Sequence, residues 1–177
     1  MATVALPAAP LAVCRQGKYL IFQLAREEFG VPVLNVREIM GLQEITNVPQ
    51  TPDFVKGVIN LRGKIIPVVD LRLKFGLDAA EYTQRTCIIV VQVSQPGGPM
   101  LMGAVVDGVS EVLNIQEAEI ENVPDMGAEL TVPYIRGMAK VKGKVKILLD
   151  IDRVLTTQEV TSLALLPEVQ AAEAVQE

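Results

Sequence analysis

Between residues 58 and 69 the chain alternates in character. Ile59, Leu61, Ile65, Pro67 and Val69 hold the odd positions, and Asn60, Arg62 and Lys64 stand at even ones. The alternation returns 80 residues later, where Ala139, Val141, Val145, Ile147 and Leu149 are separated by Lys140, Lys142, Lys144 and Lys146. A period of two marks a strand whose faces meet different surroundings. The gapless match of "FVKGVINLRGKIIPVVDL" (54–71) with "YIRGMAKVKGKVKILLDI" (134–151) makes each stretch one copy of a hairpin. For the apolar parity to continue through the turn, the loop must hold an odd number of residues. The pattern therefore predicts three-residue loops, 61–63 and 141–143, each ending on a glycine at positive φ.

The repeat extends upstream, where "FGVPVLNVREIM" (29–40) matches "MGAVVDGVSEVL" (102–113) and "ITNVP" (45–49) matches "IENVP" (120–124). A duplicated module of about 65 residues follows, too short for a long solenoid. Further strands are predicted at 18–24, 28–36, 86–93 and 101–109, with "SQPGGP" (94–99) as a hairpin loop. Many short strands with glycine turns give an all-β barrel or sandwich class. Units this small are marginal alone, so the two are expected to share apolar surface. The first is placed at about 18–85 and the second at about 86–157, preceded by a tail (1–17). A short helix stopped by Pro167, then a polar tail, is expected within 158–177.

Under the three-residue register the even positions face outward. In the second copy these are four lysines, the pattern of a solvated strand face. In the first copy they include Val58, Ile66 and Val68 beside Arg62, an apolar patch centred on an arginine, which is the composition of a protein-binding hot spot. Packing of these residues on the other module or on the C-terminal helix is the alternative. A charge relation repeats as well: Glu38 with Arg62, and Glu111 with Lys142.

Composition narrows the function. The 177 residues contain no histidine, which removes the commonest general base, histidine-containing triads and most catalytic zinc sites. No phosphate-binding loop, dinucleotide fingerprint or nucleophile elbow occurs. The duplicated aspartates Asp70 and Asp150 match the plan of a two-lobed aspartic hydrolase, but their neighbours, "DLR" and "DID", lack the tight turn that chemistry needs. Capping of local backbone amides is the competing role for both. Cys14 and Cys87 have no disulfide or metal spacing. A net charge of −5 argues against nucleic acid, and no aromatic residue interleaves the lysine row. No apolar run reaches the roughly 18 residues of a membrane-spanning helix, and the N-terminal stretch lacks a signal-peptide pattern.

From "YLIFQLAREEFGVPVLNVREIM" through "KGVINLRGKIIPVVDLR" and "VVDGVSEVL" to "YIRGMAKVKGKVKILLDIDRVL", residues 18–157 resemble the CheW family of bacterial chemotaxis coupling proteins. The resemblance implies two packed SH3-like five-stranded barrels and a non-catalytic scaffold, without cofactor or metal. It implies a cytoplasmic protein that couples the cytoplasmic tip of methyl-accepting chemoreceptors to a CheA-type histidine kinase and is recruited to membrane arrays through these partners. Coupling in a non-flagellar pathway, twitching motility or development, is the variant reading. Carried over by motif, Val36, Glu38, Gly57 and Arg62 are the receptor-binding positions. Ile39, Leu42 and Ile45 are the kinase-binding positions, with Glu121 and Met126 at a second kinase contact. For Gly57, a bulge needing positive φ is the structural alternative.

Overall fold

The computed structural model of the chain describes residues 16–95, 98–121 and 134–154. Strands β1 (Gly17–Leu24), β2 (Glu27–Pro32), β3 (Val36–Gly41), β4 (Val55–Leu61) and β5 (Lys64–Asp70) lead into a one-turn helix, α1 (Leu71–Lys74). Strands β6 (Cys87–Gln95), β7 (Gly98–Val106), β8 (Gly108–Ile115), β9 (Ile120–Glu121), β10 (Ile135–Val141) and β11 (Lys144–Leu149) follow. The expected N-terminal tail up to residue 15, Cys14, Met126 and the C-terminal helix lie outside the described residues.

The repeated hairpins turn in two residues, where the alternation predicts three. Leu61 pairs with Lys64, and Val141 with Lys144. Arg62 and Gly63 have φ of 53° and 90°, and Lys142 and Gly143 have 54° and 79°. Positive φ at both loop positions is the type I′ turn, whose twist suits a tight hairpin. The Asn60 side chain supports the first turn by accepting from the Gly63 amide at 2.7 Å. An even-numbered loop reverses parity, so Ile59 stands opposite Ile66 and Ala139 opposite Lys146. Directly opposed residues share a face. Ile66 and Val68, expected outside, are therefore inside, 1% and 0% exposed. Val58 is buried too, on the other face against Val48 and Ile65. The outward apolar patch does not exist, and Lys146, expected in a solvated row, points inward and is buried.

The strands form two sheets, in the orders β3-β6-β7-β5-β4 and β8-β1-β2-β11-β10-β9. Each curls into an SH3-like barrel. In the first, the chain beyond β3 reaches across to β4 through the Thr46–Val58 bridge. In the second, β9 does the same for β10 at Glu121 and Met138. These closures follow the repeat, since 46 and 121, like 58 and 138, are matched positions.

The sheets do not divide the chain near residue 85. The first barrel takes its strands from between Val36 and Val106, and the second takes its strands from 17–32, 108–121 and 135–149. Each copy of the repeat lends its leading hairpin to the other barrel: β1–β2 joins β11 through the parallel pair Leu148↔Gly30, and β6–β7 joins β5 through Val68↔Gly103. This exchange carries apolar side chains across the seam. The largest cluster lies there, with Leu20, Phe22, Phe29 and Val31 of one barrel against Val69, Ile89, Val91 and Met102 of the other. Smaller clusters fill the two barrels, around Ile59, Ile66 and Val68 in the first and around Tyr19, Ile21 and Leu148 in the second. The apolar surface expected to be shared is thus the main core.

Candidate functional site

The site begins with a bulge in β3. Register slips between Val36 and Glu38, so that Val36 opposes Val91 and Glu38 opposes Val90. Beyond the slip, Met40 packs into the first barrel's core and Ile39 turns outward, 46% exposed. Glu38 lies at the barrel's end, where the β4–β5 turn brings Arg62 within reach: Arg62 Nη2 donates to Glu38 Oε1 at 2.6 Å. The arginine is 72% exposed and the glutamate 29%, so the pair is a surface latch and not a core ion pair. Beside them opens a groove of about 310 Å³. Leu61, Val90 and Leu101 form its apolar floor, and Glu38, Arg62 and Lys64 part of its charged rim. Arg37 lines it as well, held by Nε donation to Gln92 Oε1 at 3.0 Å and Nη1 donation to the Leu34 carbonyl at 3.1 Å.

Of the positions expected to meet a receptor, Glu38 and Arg62 are brought into contact. Val36 sits at the start of the same strand and packs on the inter-barrel core. Gly57 is buried, with φ of 141°, and an added Cβ would lie 1.9 Å from the Thr46 carbonyl oxygen. The bulge between Val55 and Gly57 is thus what lets the strand closing the barrel approach β4, and it accounts for this glycine. Among the positions expected to meet a kinase, Ile39 and Leu42 are exposed on the outside of β3 and just after it, while Ile45 packs against the first barrel's core. Glu121 is exposed on β9, in the other barrel.

The second copy does not reproduce the latch. Glu111 and Lys142 occupy the matching places, and no ion pair joins them among the described residues. In the second barrel a charged pair lies deeper. Lys146 Nζ donates to Glu28 Oε1, with the side chains 6% and 20% exposed. The hydrogen bond from Lys146 lowers the Glu28 pKa below the ordinary glutamate value against the opposing pull of burial, helped by the Lys146 and Lys144 charges.

Asp70 and Asp150 serve the backbone. Asp70 Oδ1 accepts from the Arg72 amide at 2.9 Å, and Asp150 Oδ1 accepts from the Asp152 amide at 3.2 Å, each capping the turn that follows its hairpin. Asp70 also accepts from the Tyr82 hydroxyl at 3.1 Å. Arg72, beside it, reaches across the seam to Asp107, the single residue between β7 and β8. The groove floor and the Lys146–Glu28 pair escape the sequence reading because both depend on the two-residue turn. The alignment of the copies did carry a signal, since it sets Leu101 against Glu28 and Ile66 against Lys146.

Comparison with known proteins adds an independent line. A family model described as the CheW-like domain matches residues 18–159. The chain is 39% identical over 142 residues to the chemotaxis protein CheW of Klebsiella aerogenes, covering 80% of this chain and 83% of that protein. It is 37% identical to the chemotaxis protein CheW of Rhizobium meliloti, covering 81% and 90%. Among solved structures, the scaffolding protein CheW of Thermoanaerobacter tengcongensis superposes with a TM-score of 0.71 at 34% identity, covering 81% of this chain and 97% of that one.

Proposed function

The chain belongs to the CheW-like family, and from that premise we propose that it is a non-catalytic scaffold joining methyl-accepting chemoreceptors to a CheA-type histidine kinase. The single observation that carries the surface assignment is the Glu38–Arg62 latch beside an apolar groove, present in the first copy of the repeat and absent from the second. An exposed arginine flanking an apolar recess suits a helical-hairpin tip that offers one apolar side chain and one polar anchor. Ile39 and Leu42, exposed on the outside of the same barrel, suit a second partner that packs there without covering the groove. Two partners can then be held at once.

A coupling protein needs both contacts to be moderate. Interfaces of roughly 1,000–1,600 Å² built on a small apolar patch and one or two charges fit micromolar affinity. The chain would reside in the cytoplasm and reach membrane arrays through its partners. No helix among the described residues is long and apolar enough to cross a membrane. The resemblance to chemotaxis proteins CheW favours chemotaxis over a twitching or developmental pathway.

The test is co-sedimentation of the purified chain with a CheA-type kinase and a soluble chemoreceptor signalling fragment. The reading predicts one complex holding all three, with the kinase lost from the receptor fraction when the chain is omitted. Separate sedimentation of the kinase with the chain present would overturn it.

A further inference from the structure

The positions assigned to the receptor surface have counterparts of the same class in the second copy. Val36 is matched by Val109, Glu38 by Glu111, Gly57 by Gly137 and Arg62 by Lys142. Gly137 lies at the equivalent bulge of its own hairpin. On residue type alone, before the missing Glu111–Lys142 ion pair is considered, the chain would carry two receptor sites.

The class changes one layer down. The equivalent parallel pairings Val68↔Gly103 and Leu148↔Gly30 set Ile66 and Leu101 of the first barrel in the places of Lys146 and Glu28 of the second. Ile66 and Leu101 belong to one apolar cluster. Their counterparts form the buried ion pair, and its Glu28 lines a polar cleft of about 740 Å³ together with Arg26, Glu27, Arg85 and Lys144. We propose that Lys146 and Glu28 determine specificity: they charge the floor of the second barrel's end, so that the receptor's apolar side chain enters only the first. The inference rests on reading the first barrel's end as the receptor surface.

The physical reason is desolvation. An apolar side chain entering the first groove meets Leu61, Val90 and Leu101 and strips water from no charge at the floor. At the second barrel it would remove the water that the partly exposed Glu28 carboxylate still holds and return no hydrogen bond, a penalty that discriminates even where the rim attracts. The consequence is a chain monovalent for receptors. A divalent one would crosslink receptor tips through avidity without requiring the kinase.

The experiment uses the full chain with labelled Leu and Val methyl groups, titrated with an unlabelled soluble chemoreceptor signalling fragment. In the natural chain the Leu61 and Leu101 methyl signals should shift and those of Val141 should not. In the Glu28→Leu, Lys146→Ile double variant, which installs the first barrel's chemistry, Val141 should shift as well and the stoichiometry should rise from one fragment per chain toward two. A Val141 response in the natural chain, or its absence in a folded double variant, would overturn the inference. If that variant fails to fold, the reciprocal Ile66→Lys, Leu101→Glu change decides. It should weaken the fragment at least tenfold while kinase binding persists, and retained fragment affinity would count against the proposal. Should Arg62→Glu leave the Leu61 response unchanged, the receptor assignment itself fails, a result distinct from the others.

Discussion

Arg72 and Asp107 meet across the seam between the barrels, with Arg72 Nε 2.8 Å from Oδ1 and Nη2 2.5 Å from Oδ2. The remaining Arg72 nitrogen donates to the Asp78 carbonyl at 3.0 Å, and Asp107 Oδ2 also accepts from the Ala25 amide at 2.8 Å. One ion pair thus ties the end of the first barrel's hairpin, the crossover into the second barrel and the β1–β2 turn. Burial pushes the Asp107 carboxyl up, but the Arg72 and Ala25 hydrogen bonds and the Arg72 charge outweigh it, and the pKa falls below the ordinary aspartate value.

Arg72→Met is expected to cost about 3 kcal/mol, the low end for breaking a desolvated pair, because these side chains are 18% and 30% exposed. Chemical denaturation measures it. Because the folded-state pKa values of Asp107 and Glu28 are depressed, their contribution is fully present above the unfolded values of roughly 4 and is lost as pH falls through the lower folded ones. Stability should be level between pH 5 and 7 as far as these two groups are concerned, and should drop below about pH 4. Asp107→Asn should flatten part of that drop.

Hairpin parity makes a second prediction. Ile66→Asp buries an unpaired carboxylate inside the first barrel, which costs several kcal/mol and should lower the melting temperature by ~10 °C or more. Leu42→Asp, at a residue 37% exposed, should move it by no more than about 2 °C. Equal melting temperatures for the two variants would restore the three-residue turn and the outward apolar row.

The glycines of the first hairpin should separate by role. Gly57→Ala drives a Cβ into the Thr46 carbonyl, so the barrel closure must open, at about 3 kcal/mol or more. Gly63→Ala meets nothing within 4 Å and retains only the backbone penalty of φ near 90°, about 1 kcal/mol. Comparable losses from both would contradict the closure role of Gly57.

The repeat, the strand class and the Glu38–Arg62 relation were legible in the sequence because each is local or is written twice. Turn length was not. Arg62 and Lys142 adopt positive φ where a tight hairpin ordinarily recruits Asn, Asp or Gly, so the residue types pointed to a single left-handed position at Gly63 and Gly143. That one residue of difference inverted a face, turning Ile66, Val68 and Lys146 from expected surface into interior. The hairpin exchange was hidden for another reason. It is fixed by parallel pairings such as Leu148↔Gly30, between residues far apart in the chain, and no local periodicity reports them.

The most direct measurement of the receptor assignment is the affinity of a chemoreceptor signalling fragment for Arg62→Glu and Lys142→Glu chains, read beside their melting temperatures. Both residues are exposed at type I′ turns, so neither change should disturb the fold. Arg62→Glu removes the groove's charged anchor and sets a like charge beside Glu38, and it should weaken the fragment by ~2 kcal/mol, about thirtyfold. Lys142→Glu should change affinity by less than about twofold. Equal losses at the two turns, or undiminished binding by a folded Arg62→Glu chain, would contradict the placement of the receptor surface on the first barrel.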